Sequence, residues 1–124
     1  MAEQKWQFTQ DGLVINASRG SARGSVAWVG VSDSQTPGVF LRPILKDVLD
    51  KMKGAEVTFD LTKLEYMNSA TVSPLIQFVK ALDGSCTRIV VLFSQADWQR
   101  THLQCMRAIA TTLKHVTVES APTA

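Results

Sequence analysis

The sequence predicts an α/β domain with a largely parallel or mixed β-sheet. Three observations carry that expectation. After a β-rich start, helix-like and strand-like apolar patterns alternate to the end of the chain, the order of βαβ crossovers. The start holds strand patterns around an Asp-Gly dipeptide, which adds antiparallel pairs. No internal repeat or linker splits the 124 residues, a length that suits one compact domain. Residues 1–120 are read as that domain. Residues 121–124 are read as a disordered tail, because the end of the chain, SAPTA, is small and polar.

Taken in order, Trp6–Gln10 and Leu13–Ala17 read as strands flanking the hairpin dipeptide Asp11-Gly12. The segment SRGSARGS, residues 18–25, reads as a solvated loop; it lacks the Lys-Ser/Thr ending of a phosphate-binding loop. Val26–Val31 (VAWVGV) is a continuous apolar run, expected as a strand buried on both faces. After the turn SDSQTPG, Val39–Lys53 has apolar residues at helical spacing. Pro43 is placed near its start, and Gly54 stops it behind Lys51 and Lys53. Glu56–Leu61 alternates as a strand. A helix follows to about Leu82, ended by Asp83-Gly84. Arg88–Phe93 is a second buried strand. Ala96–Thr112 is a helix with Leu103, Met106, Ile109 and Ala110 on one face, and Val116–Val118 closes the order.

Composition narrows the function classes. The chain is 45% hydrophobic and 19% charged, as in an ordinary soluble domain. Thirteen basic against 11 acidic residues leave a net charge of +2, too balanced to argue for nucleic acid or an anionic membrane. No apolar run approaches the roughly 20 residues that span a bilayer, and MAEQKWQF does not read as a signal peptide. The expectation is a cytoplasmic protein without membrane insertion. Cys86 and Cys105 lack metal spacing and are expected as buried thiols rather than a disulfide.

Catalytic signatures are missing. His102 and His115 read as surface or packing residues, and Asp47, Asp50 and Glu56 as solvated charges. There is no GxSxG, HExxH or GxGxxG, and Trp6, Trp28, Tyr66 and Trp98 form no basic–aromatic stripe. The expectation is a non-enzyme that uses no cofactor or metal and binds no nucleic acid.

One stretch stands apart: EYMNSATVSPLIQFVK, residues 65–80. It joins a strand's C-terminal end to a helix, where ligands and partners dock in βα units. Two readings of its hydroxyls stay open. Ser69 or Ser73 is the helix N-cap, and Ser73-Pro74 has the form of a cap followed by proline at the first helical position. Alternatively, Ser69 accepts a phosphoryl group, held by helix N-terminal N–H groups and adding about −1.5 to −2 charge.

The stretch VTFDLTKLEYMNSATVSPLIQFVKAL resembles the core of STAS domains, typified by bacterial anti-sigma factor antagonists. That pattern is a strand ending in Asp-Leu, an apolar pair, and Asp-Ser-Ser/Thr-Gly opening a helix. Asp60-Leu61 and Tyr66-Met67 match it, and Ser69 falls on the serine presented to a serine kinase. Gly30 and Asp33 match a looser Gly-x-x-Asp. The chain departs at Asn68 for the acid, and at Ala70 and Thr71 for Ser/Thr-Gly; the first change is expected to weaken kinase recognition and the last to reshape the turn. The element order extends the resemblance over nearly the whole chain.

The resemblance implies a mixed sheet with about three to four helices packed mainly on one face. It implies a module that binds an anti-sigma factor or switch serine kinase, with phosphorylation at Ser69. The partner loop would comprise Asp33, Ser34, Asn68, Ser69, Ala70, Thr71 and Ser73. The alternative is an accessory subunit of a lipid-transport ABC complex or signalling assembly, working without phosphorylation. A small-molecule-binding domain or enzyme using the same loop is a third.

Overall fold

The computed structural model describes residues 3–121. The chain runs β1 (Gln4–Gln10), β2 (Leu13–Arg19), β3 (Arg23–Ser32), α1 (Pro37–Met52), β4 (Glu56–Asp60), β5 (Leu64–Met67), α2 (Ser69–Ser85), β6 (Arg88–Phe93), α3 (Asp97–Ala110) and β7 (Val116–Ser120). This is the α/β alternation expected. The strands form one mixed sheet in the order β1-β2-β3-β4-β6-β7, with β5 also paired to β3. β1, β2 and β3 form an antiparallel meander, and every pairing beyond β3 is parallel.

Burial follows the two-residue period of the strands. Ile15, Trp28, Val57, Phe59, Ile89, Val91 and Val118 are buried on one face. Their neighbours Asn16, Ala27, Thr58, Val90 and Thr117 lie on the other face and keep solvent exposure. The three helices cover the buried face, where Leu41, Leu45 and Val48 of α1, Leu75, Phe78 and Val79 of α2, and Leu103 and Met106 of α3 join the strand residues in one core. Phe59 sits edge-on between Trp28 and Phe78, with ring centroids 5.6 and 5.3 Å away. Each such pair adds about 0.5–1.5 kcal/mol beyond its buried area.

β3 is half-covered rather than buried on both faces, because no helix lies on the second face. The region expected as a loop at 18–25 is mostly strand. Ser18 and Arg19 pair with Ser25 and Gly24, and only residues 20–22 turn. The tail expected at 121–124 begins one residue too early. Ala121 donates its N–H to the Phe93 carbonyl at 2.8 Å, and 122–124 lie outside the described residues.

The sheet changes partner at the end of β4, and this places the later site. β3 is ten residues long; Arg23–Ala27 pairs with β4, and Gly30–Ser32 with β5. Between them the Asp60 carboxylate accepts from the Thr62 N–H at 2.8 Å and from its hydroxyl at 2.6 Å, which turns the chain out of β4. Leu61 is buried, and its N–H reaches the Leu92 carbonyl at 2.9 Å. Gly30 carries the matching irregularity in β3. Its φ is 97°, and a Cβ there would collide with the Gly12 carbonyl oxygen.

Both of the first two helices contain a proline. α1 starts at Pro37, so Pro43 sits in its interior and not near its start. α2 starts at Ser69 and runs through Asp83-Gly84 to Ser85, with Pro74 inside. An interior proline leaves the carbonyl four residues earlier without its donor. Here those carbonyls belong to Val39 and Ala70, both exposed, so water can take the donor's place. The Pro74 ring itself is buried.

Candidate functional site

β3 and β5 are parallel neighbours that end side by side, with Ser32 opposite Met67. α1 follows the first and α2 the second, so both helices begin at the same end of the sheet. The expected loop residues converge there, and a hydrogen-bond network ties the two starts together.

Asn68 is the N-cap of α2. Its Oδ1 accepts from the Thr71 N–H at 3.1 Å and from the Thr71 hydroxyl at 2.8 Å. Its Nδ2 donates to the Ser34 carbonyl at 2.7 Å, and its backbone N–H donates to the Ser32 carbonyl at 2.9 Å. A carbonyl only accepts, so the Ser34 contact fixes which end of the amide faces it. The Thr71 Oγ1 also lies 2.7 Å from the Ser32 Oγ. Both hydroxyls are buried, Thr71 at 0% and Ser32 at 2% exposure.

The cap expected at Ser73-Pro74 is therefore not formed. Ser73 lies on the second turn, exposed, and Asn68 caps the helix five residues earlier. Thr71 cannot belong to a partner-contacting surface, because its side chain is fully buried. It fills the position of the expected glycine and bolts α2 to the end of β3. Asp33, Ser69, Ala70 and Ser73 are exposed, and Ser34 and Asn68 are partly so.

Ser69 occupies the first helical position, where backbone N–H groups have no partner inside the helix. Thr71 N–H is capped and Asn68 N–H is paired, so the N–H groups of Ser69 and Ala70 remain. Neither these nor the Ser69 hydroxyl has a protein partner among the described residues. The first turn carries no acidic residue. Among the described residues the large apolar side chains that stay exposed are Val39, at 77% on the first turn of α1, and Tyr66, at 49% near the end of β5. A hydroxyl, two N–H donors and two apolar side chains thus share one end of the molecule.

No family model and no curated protein matches the chain.

Gln99 is the residue that sequence reasoning passed over. It is 1% exposed on α3. Its Nε2 donates to the Leu61 and Leu64 carbonyls at 2.8 and 2.9 Å, and its Oε1 accepts from the Ser94 N–H at 2.6 Å. It clamps the jog between β4 and β5 and so supports the strand that leads into Ser69. One signal existed: position 99 continues the apolar face of 103, 106 and 110 at helical spacing.

The remaining titratable groups form no reactive cluster. His102 packs on the Trp98 ring, centroids 5.8 Å apart, and burial pushes its pKa down. His115 is exposed, and its backbone N–H reaches the Asp83 carboxylate at 2.7 Å. Asp47, Asp50 and Glu56 pair with Lys51, Lys53 and Arg23. Cys86 is buried, with its thiol 3.2 Å from the Met52 carbonyl, while Cys105 is exposed, contrary to expectation; both are free. Burial raises the Cys86 thiol's pKa against the opposing pull of the Arg19 guanidinium and the Ala55 backbone. Among the described residues no group of His, Cys, Asp and Glu could hold a metal ion, and no helix is long and apolar enough to cross a membrane.

Proposed function

We propose that this chain is a regulatory protein-interaction module that works in the manner of the STAS anti-sigma factor antagonists. It docks a cognate anti-sigma factor or switch serine kinase through the end of the sheet where α1 and α2 begin. Phosphorylation of Ser69 is its switch. The observation that supports this reading is the setting of Ser69: an exposed hydroxyl at the first position of α2, beside two unpartnered N–H groups, on a helix start that Asn68 and Thr71 hold rigid.

Chemistry gives the switch its direction. Unmodified, this end of the molecule offers a small polar hydroxyl, with Tyr66 and Val39 exposed as apolar side chains at the same end of the sheet. A phosphoryl group adds about −1.5 to −2 charge and three acceptor oxygens. The N–H groups of Ser69 and Ala70 and the positive end of α2 favour that charge. A partner seated over the serine would then meet bulk and charge where it had met a hydroxyl.

The test is direct. The chain is isolated from its native cells, and peptide mass spectrometry locates phosphate. Phosphate on Ser69, absent in Ser69→Ala, is the expected result. Capture of the partner kinase should persist with Ser69→Ala and fall with Ser69→Glu. An unmodified Ser69 together with equal capture by Ser69→Glu removes the switch.

A further inference from the structure

We infer that the groove between α1 and α2 docks an acidic amphipathic helix of a partner protein. This deepens the reading above by naming the partner's chemistry, and it rests on that reading for placing a partner at this end.

The floor of the groove is apolar. Leu45 and Leu49 come from α1, and Pro74, Phe78 and Ala81 from α2; between them lies an open groove of about 180 Å³. From Arg42 to Leu49 the lining of α1 rises about 10 Å at 1.5 Å per residue, and Pro74 to Ala81 matches it on α2. Two helical turns are the length over which an incoming helix presents anchors at i, i+3 or i+4, and i+7. The lining contributes no acidic residue.

The rim is cationic. Arg42 and Lys46 line the groove four residues apart on one face of α1. Like charges at that spacing work against the helix. The other α1 lysine, Lys51, is satisfied by Asp47 at 2.9 Å, and Lys53 just beyond the helix by Asp50 at 3.4 Å. Arg42 and Lys46 have no carboxylate partner among the described residues. The Arg42 guanidinium folds back over Gly38, toward the first turn of α1. That turn carries the exposed Val39, and α2 starts with Ser69 at the same end. Two unneutralised cations over an apolar floor match a helix with leucines on one side and carboxylates flanking them. A basic partner would be repelled, and an uncharged one would leave both cations unmatched.

The test uses synthetic peptides on the full chain. One is a fluorescein-labelled amphipathic helix with leucines on one face and glutamates elsewhere. The second carries lysine for every glutamate, and the third scrambles the first. Binding is read by fluorescence anisotropy and mapped by amide chemical shifts. The acidic helix should bind saturably, shifting amides around Leu45, Leu49, Gln77 and Ala81. The double variant Arg42→Glu/Lys46→Glu should weaken it by about tenfold or more and should gain the lysine peptide. Lys5→Glu/Arg88→Glu, with the same change in net charge, should not, and circular dichroism should confirm that both variants fold. Equal binding of acidic and lysine peptides, indifference to the Arg42/Lys46 reversal, or shifts elsewhere overturns the proposal. So does self-association lost in the double variant, which seats a second copy in the groove. Preference for phosphatidylserine vesicles over the peptide also overturns it. No arm involves Ser69 phosphorylation, so failure here leaves the switch to its own experiment.

Discussion

Replacing Thr71 with valine keeps its shape and removes its hydroxyl. That hydroxyl is 2.7 Å from the Ser32 Oγ and donates to the Asn68 Oδ1 at 2.8 Å. The Asn68 side chain keeps two other bonds, to Thr71 N–H and the Ser34 carbonyl. Ser32, at 2% exposure, is left with a hydroxyl that water cannot reach. A stranded buried hydroxyl costs about 1–3 kcal/mol, so Thr71→Val should lose about 2 kcal/mol. With a urea m-value of about 2 kcal/mol/M, the unfolding midpoint falls by about 1 M at unchanged m. Adding Ser32→Ala removes the stranded group, so the double variant should be more stable than the sum of the single losses predicts, by about 1 kcal/mol. Thr71→Gly should lose more than valine does, because glycine adds about 1 kcal/mol of helix cost. A Thr71→Val loss under about 0.5 kcal/mol, or strict additivity with Ser32→Ala, would refute the idea that this pair bolts α2 to β3.

Gln99→Leu fits the volume but strips its partner from the Ser94 N–H and from the Leu64 carbonyl, and should cost about 3 kcal/mol in chemical denaturation; a loss under about 1 kcal/mol would deny its role as a clamp. Asn68→Asp keeps the cap but turns the Nδ2 donor facing the Ser34 carbonyl into an acceptor. Against a gain of about 0.3–1 kcal/mol from the helix dipole, a net loss of about 1 kcal/mol is expected, shrinking at low pH where the carboxyl carries a proton; thermal melts across pH read both. A thiol reagent should modify Cys105 in the native protein and Cys86 only on unfolding, since one is exposed and the other buried. Burial raises the folded-state pKa of Cys86, so its contribution to stability holds below the ordinary thiol range and is lost as pH rises beyond it. Cys86→Ala should flatten that alkaline fall.

Much of the fold is written in periodicity. The alternation of VTFDL and RIVVLF with helix-spaced segments specifies βαβ order, and Asp60-Leu61 marks the end of β4. The failures share a physical cause, namely partners distant in sequence. β5 is four residues long and exists because β3 extends beyond β4 and offers it an edge. Ser73-Pro74 has the form of a helix start, yet Asn68 supplies a cap that Thr71 and Ser34 reinforce from opposite sides, and burial of the Pro74 ring offsets its lost hydrogen bond. The apolar run of β3 suggested two buried faces, while the helices cover only one. Helical spacing marks position 99 as facing the core, but the clamp that Gln99 makes was not legible because the carbonyls it holds lie 35 and 38 residues away.

The departures at Asn68 and Thr71 bear directly on how the Ser69 end can act. An aspartate could cap α2, but it could not also donate to the Ser34 carbonyl; a glycine could make the turn, but it could not reach Ser32. Asparagine and threonine together join the loop before α1 to the start of α2, with six bonds among Asn68, Thr71, Ser32 and Ser34 shorter than 3.2 Å. A phosphoryl group on Ser69 would therefore meet a helix start already fixed in place. Its effect would be local charge and bulk at an unmoved surface. The Ser69→Glu variant should then leave the amide shifts of Ser32 and Ser34 nearly unchanged while those of Ser69 and Ala70 move. Large shifts at Ser32 would mean instead that the charge loosens the bolt between α2 and β3.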